Sequence, residues 1–295
     1  MRDPLRLTEL MARHVTENGL HRCALPGVTL IRASSPTLPI PAIYEPTLCL
    51  IAQGRKQVQL GPTRLVYDPS SYLLASVGVP VMGAVIEASI ENPYLCIQID
   101  LDIRAIGELA LRFPRASSEP KSDTFGLSLH QTTPALLDAM IRLVALLDTP
   151  DDIEALAPLI LREIFYRLLI STAGPTVRQF VQCDSRLSQI ARAIGWIREN
   201  FRSACPIDQA ASIAGMSRSG FHEHFKDVTG MSPLTFRTQL RMQEAQHLMV
   251  NAAMDAADAG FAVGYGSPSQ FSRDYVRLFG CPPARHADQL RKMAA

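Results

Sequence analysis

The sequence predicts an α+β chain: a strand-rich N-terminal half, folded as a small sandwich or barrel with helices packed on it, and then an all-α half. Three observations predict it. Short runs between residues 47 and 101 alternate apolar and polar side chains with period two, as half-buried strands do. Past residue 100 the apolar residues return at three- and four-residue steps, the helical period. From residue 184 onward, two short helices around a glycine turn occur twice, about fifty residues apart. With 295 residues, 47% hydrophobic and 19% charged, the chain has enough apolar content to bury two cores of ordinary size.

In the first half, Thr47–Ala52 is a strand-sized apolar run. Lys56–Leu60 and Thr63–Tyr67 flank the turn signal Gly61-Pro62. Ser71–Val77 and Val81–Ile90 are further strand candidates, separated by Gly78 and Pro80. In Tyr94–Leu101, residues Leu95, Ile97, Ile99 and Leu101 alternate with more polar neighbours. Pro134–Leu147 and Ile153–Ile170 follow as helices, the second favoured at its start by Asp151 and Asp152. Their Leu- and Ile-rich faces suit packing on the sheet, on each other or on a second copy of the chain, with Ile160, Leu161, Ile164 and Leu168 as homodimer candidates. The stretch 171–185 holds Gly174-Pro175 and few large aliphatic residues, so it is expected to separate an N-terminal domain, 1–180, from a C-terminal one, 184–295.

In the second half, Leu187, Ile190, Ile194, Ile197 and Phe201 form one apolar stripe of a helix. Ile207–Ala214 is a short helix, Gly215-Met216 the turn, and Ser217 the N-cap of the next helix. There Phe221, Phe225 and Val228 share the buried face, which leaves Ser219, His222, Glu223 and Lys226 on the other. His224 lies near the buried face and is expected to be a core histidine. Ser232-Pro233 caps a long helix to about Val250, with Phe236, Leu240, Ala245 and Leu248 inward. The pattern then repeats: helix Ala253–Val263, turn Gly264-Tyr265, N-cap Ser267-Pro268, and aromatics Phe271 and Tyr275 with Leu278 behind them. The two helix-turn-helix motifs therefore span about 206–229 and 253–279.

Ala214-Gly215-Met216-Ser217, Phe225-Lys226, Thr229-Gly230-Met231-Ser232-Pro233 and the run Val263–Arg273 closely resemble the AraC/XylS family of bacterial transcription regulators. Phe279-Gly280-Cys281-Pro282-Pro283 resembles the family's closing signature, and the likeness covers roughly residues 186–290. Tyr44-Glu45-Pro46, Gly54-Arg55-Lys56, Tyr67-Asp68-Pro69 and Pro80–Leu101 are similar to the AraC-type N-terminal domain, a cupin-like barrel. Gly260 stands where the family usually has Ala, and Ala210 where it often has Leu. A mid-helix Gly costs about 1 kcal/mol against Ala, so both departures lead one to expect looser packing.

The resemblance implies sequence-specific binding of an operator in double-stranded DNA, with RNA polymerase as a partner. It also implies that one chain engages two successive major-groove segments, roughly 34 Å apart. A recognition helix presents its N-terminal residues to base edges. The expected contacts are Arg218, Ser219, His222 and Glu223, with Lys226 at a phosphate, then Ser269, Ser272 and Arg273, with Arg277 behind; Pro268 only packs. Arg273 can reach a guanine with two hydrogen bonds. Against these readings stands a bland one, since an exposed basic residue on a helix is usually a solvated face.

A barrel fused to a DNA-binding domain invites control by a small-molecule effector. Tyr44, Cys49, Tyr67 and Cys96 are the pocket candidates, with Tyr72, Met82 and Tyr94 on or near the same strands. Such residues more often belong to a core, and a ligand-free dimerisation module is the competing reading. Cys49 or Cys96 as a redox-sensing thiol is a third. An enzyme is not expected: His14, His21 and His130 form no His-x-His pair, and no phosphate loop or nucleophile elbow occurs. No cofactor or metal is expected. The six cysteines (Cys23, Cys49, Cys96, Cys183, Cys205, Cys281) show no Cys-x-x-Cys. The charged N-terminus lacks the apolar core of a signal peptide and no run reaches membrane-span length, so a cytoplasmic location without membrane contact is expected. The net charge of +1 hides a mild asymmetry: residues 184–295 hold 13 Lys+Arg against 10 Asp+Glu, and residues 1–183 hold 16 against 18. That excess permits a polyanionic partner without requiring one.

Overall fold

A computed structural model describes residues 4–114, 126–182 and 184–294; Cys183 lies outside the described residues. The chain divides into two compact units, Met1–Ser188 and Gln189–Ala295.

The first unit opens with α1 (Pro4–His14), followed by β1 (Gly19–Arg22), β2 (Val28–Ala33), β3 (Ile40–Tyr44), β4 (Thr47–Gln53), β5 (Arg55–Leu60), β6 (Thr63–Tyr67), β7 (Ser71–Ala75), β8 (Val79–Glu87) and β9 (Tyr94–Asp100). Then come α2 (Ile103–Arg112), β10 (Leu127–Gln131), α3 (Pro134–Ala145), α4 (Ile153–Ile170) and α5 (Gly174–Val181). The strands form two antiparallel sheets, ordered β1-β2-β9-β4-β7-β10 and β3-β8-β5-β6. The expected small sandwich or cupin-like barrel is present as two open sheets, so barrel describes it only approximately. The chain crosses from one to the other at Gly54, beside a register irregularity between Ile51 and Gln53. Strands β1, β10, β3 and β6 each remain at an edge.

The central strands β9, β4 and β7 of the six-stranded sheet are buried on both sides. Cross-strand partners Leu48, Leu74 and Ile99, with Leu50 and Ile97, share one face, and α1 packs on β4 and β9 through buried Leu7, Leu10 and Met11. The other face carries Cys49, Leu73, Ile51 and Cys96. This is why β9 hides Tyr94 and Cys96 as fully as Leu95 and Ile97, although its alternation predicts one wet face. The stretch 171–185 also departs from its reading as a linker. It contains α5, where Pro175 sits in the first turn and Val177 and Phe180 are buried, and the helix packs on α2 and α4. Helices α3 and α4 pack together, tied by Arg142 to Glu163 at 2.6 Å. Ile160, Ile164 and Leu168 are buried within this unit and are not a free dimer face, and Leu161 is half-buried; the exposed large hydrophobic side chains of α4 are Leu156, Leu159 and Ile170.

The second unit holds α6 (Arg186–Asn200), α7 (Ile207–Ala214), α8 (Arg218–Thr229), α9 (Pro233–Asn251), α10 (Ala256–Ala262), α11 (Pro268–Phe279) and α12 (Pro283–Ala294). Ser232 caps α9 by accepting the Thr235 N–H at 3.2 Å, and Asp255 caps α10 through the Ala257 and Asp258 N–H groups at 2.7 and 3.0 Å. Ser267 precedes α11 as expected but makes no side-chain cap; Pro268 in the first turn needs no N–H partner there. Among the described residues no helix is long and apolar enough to cross a membrane, and no group of three or more His, Cys, Asp or Glu is placed to hold a metal ion.

Candidate nucleic-acid interface and interior cluster

In the first helix pair, α7 ends on Gly215 at φ +68°, a left-handed turn that costs glycine little. Ser217 then starts α8 by accepting the Gly220 N–H at 3.3 Å. Phe221 and Phe225 are buried with ring centroids 5.3 Å apart, and Phe225 meets Phe236 of α9 edge-on at 5.2 Å. These aromatics set the rotation of α8. Arg218, Ser219, Glu223 and Lys226 are exposed and His222 is half-buried. Arg218 lies 3.4 Å from the Asp208 carboxylate. His224 is half-buried, 3.8 Å from Asp227.

The second pair repeats the device with different side chains. Phe271 is centred 5.6 Å from both Tyr265 and Tyr275, in a core completed by Met242, Ala245, Met249, Ala259, Val263 and Ala287. Gly260 is part of it: a Cβ there would stand 2.9 Å from Cγ of Phe271. The departure at Gly260 therefore marks close packing, not the looser packing expected. Ser269 and Arg273 are exposed and Ser272 half-buried. Arg277 is exposed but bound to Asp274 at 2.9 Å, and Asp274 also accepts from the Tyr265 hydroxyl at 2.9 Å. Gln270, exposed in the first turn of α11, is not among the expected contacts. It matches Gly220 fifty residues earlier, and a Gln amide is the side chain that pairs with adenine.

One residue ties the two pairs. From α9, Arg241 donates Nε to the Phe201 carbonyl at 2.6 Å and Nη1 to the Gly264 carbonyl at 3.0 Å. Its Nη2 reaches the Arg202 and Ser203 carbonyls at 3.3 and 3.2 Å. Gly264 admits this approach because any Cβ there would strike the Arg202 carbonyl.

Between the two sheets of the first unit, Tyr44, Cys49, Tyr67 and Cys96 come together with Tyr94; all five are buried. Tyr72 lies on the helix-covered face instead, hydrogen-bonded to Ser171 at 3.1 Å and 5.5 Å from the His130 ring. Met82 alternates with the inward Val81 and Gly83 and so faces away from the cluster. The residue missed is Lys56, directly across from Tyr67. Its ammonium lies 5.5 and 5.9 Å from the ring centres of Tyr44 and Tyr94. Burial works against that charge, but the Tyr44 phenol and the Cys96 and Cys49 thiols beside it favour it more, so its pKa is raised and it stays protonated. Burial raises the pKa of Tyr67 and of Tyr94, so both stay neutral. The Tyr67 and Tyr94 hydroxyls are hydrogen-bonded to no protein group; the Cys96 thiol beside Tyr94 lacks the geometry. The neighbouring Cys49 thiol lowers the Cys96 pKa against burial, and Cys96 together with burial raises that of Cys49.

The model of the AraC-type transcriptional regulator N-terminus matches residues 24–176, and a helix-turn-helix domain model matches residues 210–289. The RCS-specific HTH-type transcriptional activator RclR of Escherichia coli is 37% identical over 91 residues, covering 31% of this chain and 32% of RclR. The virulence regulon transcriptional activator VirF of Yersinia enterocolitica is 26% identical over 183 residues, covering 62% of this chain and 66% of VirF. Each match thus spans less than two thirds of the relative. Among solved structures, an apo variant of ToxT from Vibrio cholerae superposes with a TM-score of 0.54 at 10% identity, covering 92% of this chain and 98% of that one. Unsaturated fatty acid-bound ToxT gives 0.52 at 11%, covering 88% and 93%. At these identities the likeness is one of fold.

Proposed function

This chain belongs to the AraC-type transcriptional regulators, and from that premise we propose that it binds operator DNA through α8 and α11 under control of a small-molecule effector held between its N-terminal sheets. The observation that carries the reading is the shared frame of the two helices. Aromatics fifty residues apart bury one face of each, and the opposite face offers side chains that reach base edges and phosphates. Arg218, Ser219, His222, Glu223 and Lys226 serve on α8; Ser269, Gln270, Ser272 and Arg273 serve on α11. Arg277, paired with Asp274, has a supporting role. The interior cluster of Tyr44, Cys49, Tyr67 and Cys96 is the effector site, and fatty acid-bound ToxT supports a small organic ligand for this fold. The family also implies contact with RNA polymerase. A homodimer through α4 would use the exposed Leu156 and Leu159.

The test compares a mapped operator with a random duplex across a salt series. Losing a bidentate guanine contact costs about 1–3 kcal/mol of discrimination, so Arg273→Ala weakens operator binding more than random binding. Lys226→Ala weakens both alike and flattens the salt slope by about one unit. Equal losses for Arg273→Ala would overturn its role. For the effector, a low-mass fraction of cell extract raises the melting midpoint of the full chain; a flat response would remove that part.

A further inference from the structure

We propose that the cluster between the two N-terminal sheets holds the carboxylate of a small organic acid, with the Lys56 ammonium as its counter-ion and the Tyr67 and Tyr94 hydroxyls as its donors. The inference rests on the effector reading above and names the chemical class of the ligand.

The cluster holds a cation and two hydroxyls bonded to no protein group, and no carboxylate acts on that cation. The groups acting on the Lys56 charge are the Tyr44 phenol and the Cys96 and Cys49 thiols, not carboxylates. Its charge is favoured by those neighbours, yet none of them brings a full negative charge. Tyr67 and Tyr94 add a second anomaly. They are 2% and 0% exposed and their hydroxyls bond to no protein group, so phenylalanine of the same shape would fit the packing better. The three groups converge by register: Lys56 is the direct partner of Tyr67 on β5 and β6, and its ammonium is 5.9 Å from the Tyr94 ring.

A carboxylate supplies what all three lack, namely one negative charge and several lone pairs. An amine would add like charge. A phosphate dianion would leave a charge uncompensated, because the cluster has one cation. Buried Ile51, Val58, Leu73 and Val85 around it suit an apolar body. Lys56 itself is half-buried where the five other members are buried, so of the six it has the most contact with solvent.

The test melts the full chain with benzoate, hexanoate and decanoate, and with the primary amide of each. The expected result is that at least one acid raises the midpoint with concentration and its amide does not. Lys56→Met abolishes the shift, and Tyr67→Phe weakens apparent affinity about tenfold. Without ligand, Lys56→Met and Tyr67→Phe still melt in one cooperative transition, which separates loss of the ligand response from loss of the fold. An amide as effective as its acid, or an acid shift that survives Lys56→Met, would each overturn the proposal. A flat acid panel beside an active low-mass extract overturns the ligand class and leaves the effector reading standing. A flat extract as well removes the reading on which it rests.

Discussion

Gly260 shows how one atom decides a packing question. Its replacement by Ala gains about 1 kcal/mol of helix propensity, but the new Cβ would sit 2.9 Å from Phe271 Cγ. Overpacking a tight core typically costs about 1–3 kcal/mol. We expect Gly260→Ala to lower the stability of the full chain by about 1 kcal/mol in urea unfolding and to weaken operator binding; a gain in stability would contradict the close contact. The sequence marks Gly260 as unusual but hides the reason, because the contact joins two helices through packing. Lys56 was hidden differently. On an alternating strand a lysine ordinarily marks the wet face, and only the pairing of β5 with β6 and β8 turns this one inward. Tyr44, Cys49, Tyr67 and Cys96 were legible as candidates because apolar and aromatic residues on strands tend to be buried, but the same signal did not set them apart from Met82, which faces away from the cluster. Gln270 was overlooked although the fifty-residue frame already marked its position.

Among the elements, α9 is more than a spacer. Through Arg241 it gathers carbonyls from residues 201–203 and from the turn at Gly264, so the segment entering the first helix pair is tied to the turn of the second. Arg241→Met leaves those acceptors unpartnered. The expected loss is about 2 kcal/mol in urea unfolding, with a larger drop in affinity for duplexes carrying both half-sites than for those carrying one. Equal affinity losses on the two duplexes would mean that Arg241 serves stability alone. The second-half helices were legible because turns and the 3.6-residue period mark them; α7 spans Ile207–Ala214 as read, whereas α10 starts at Ala256 and not at the expected Ala253, because Asp255 caps it. In the first half, α5 was lost to its Gly174-Pro175 start, which reads as a break and acts as a first turn. Sheet closure was equally out of reach, since strand order depends on pairings between residues far apart in the chain.

At the scale of the whole molecule, the two units carry different chemistries on one chain. The first encloses a cation and unmatched hydroxyls between sheets; the second exposes polar ridges on two helices anchored by buried aromatics. The connecting helix α9 has 19 residues, about 28 Å at helical rise, which is of the order of one turn of DNA. The most direct test of the central claim is a hydroxyl-radical footprint, with guanine methylation interference, of the full chain on an operator found by genome-wide mapping of bound sites. The account predicts two protected windows about 10 base pairs apart, with interference in one of them lost for Arg273→Ala. A single window, or protection of a random duplex as strong as that of the operator, would contradict it.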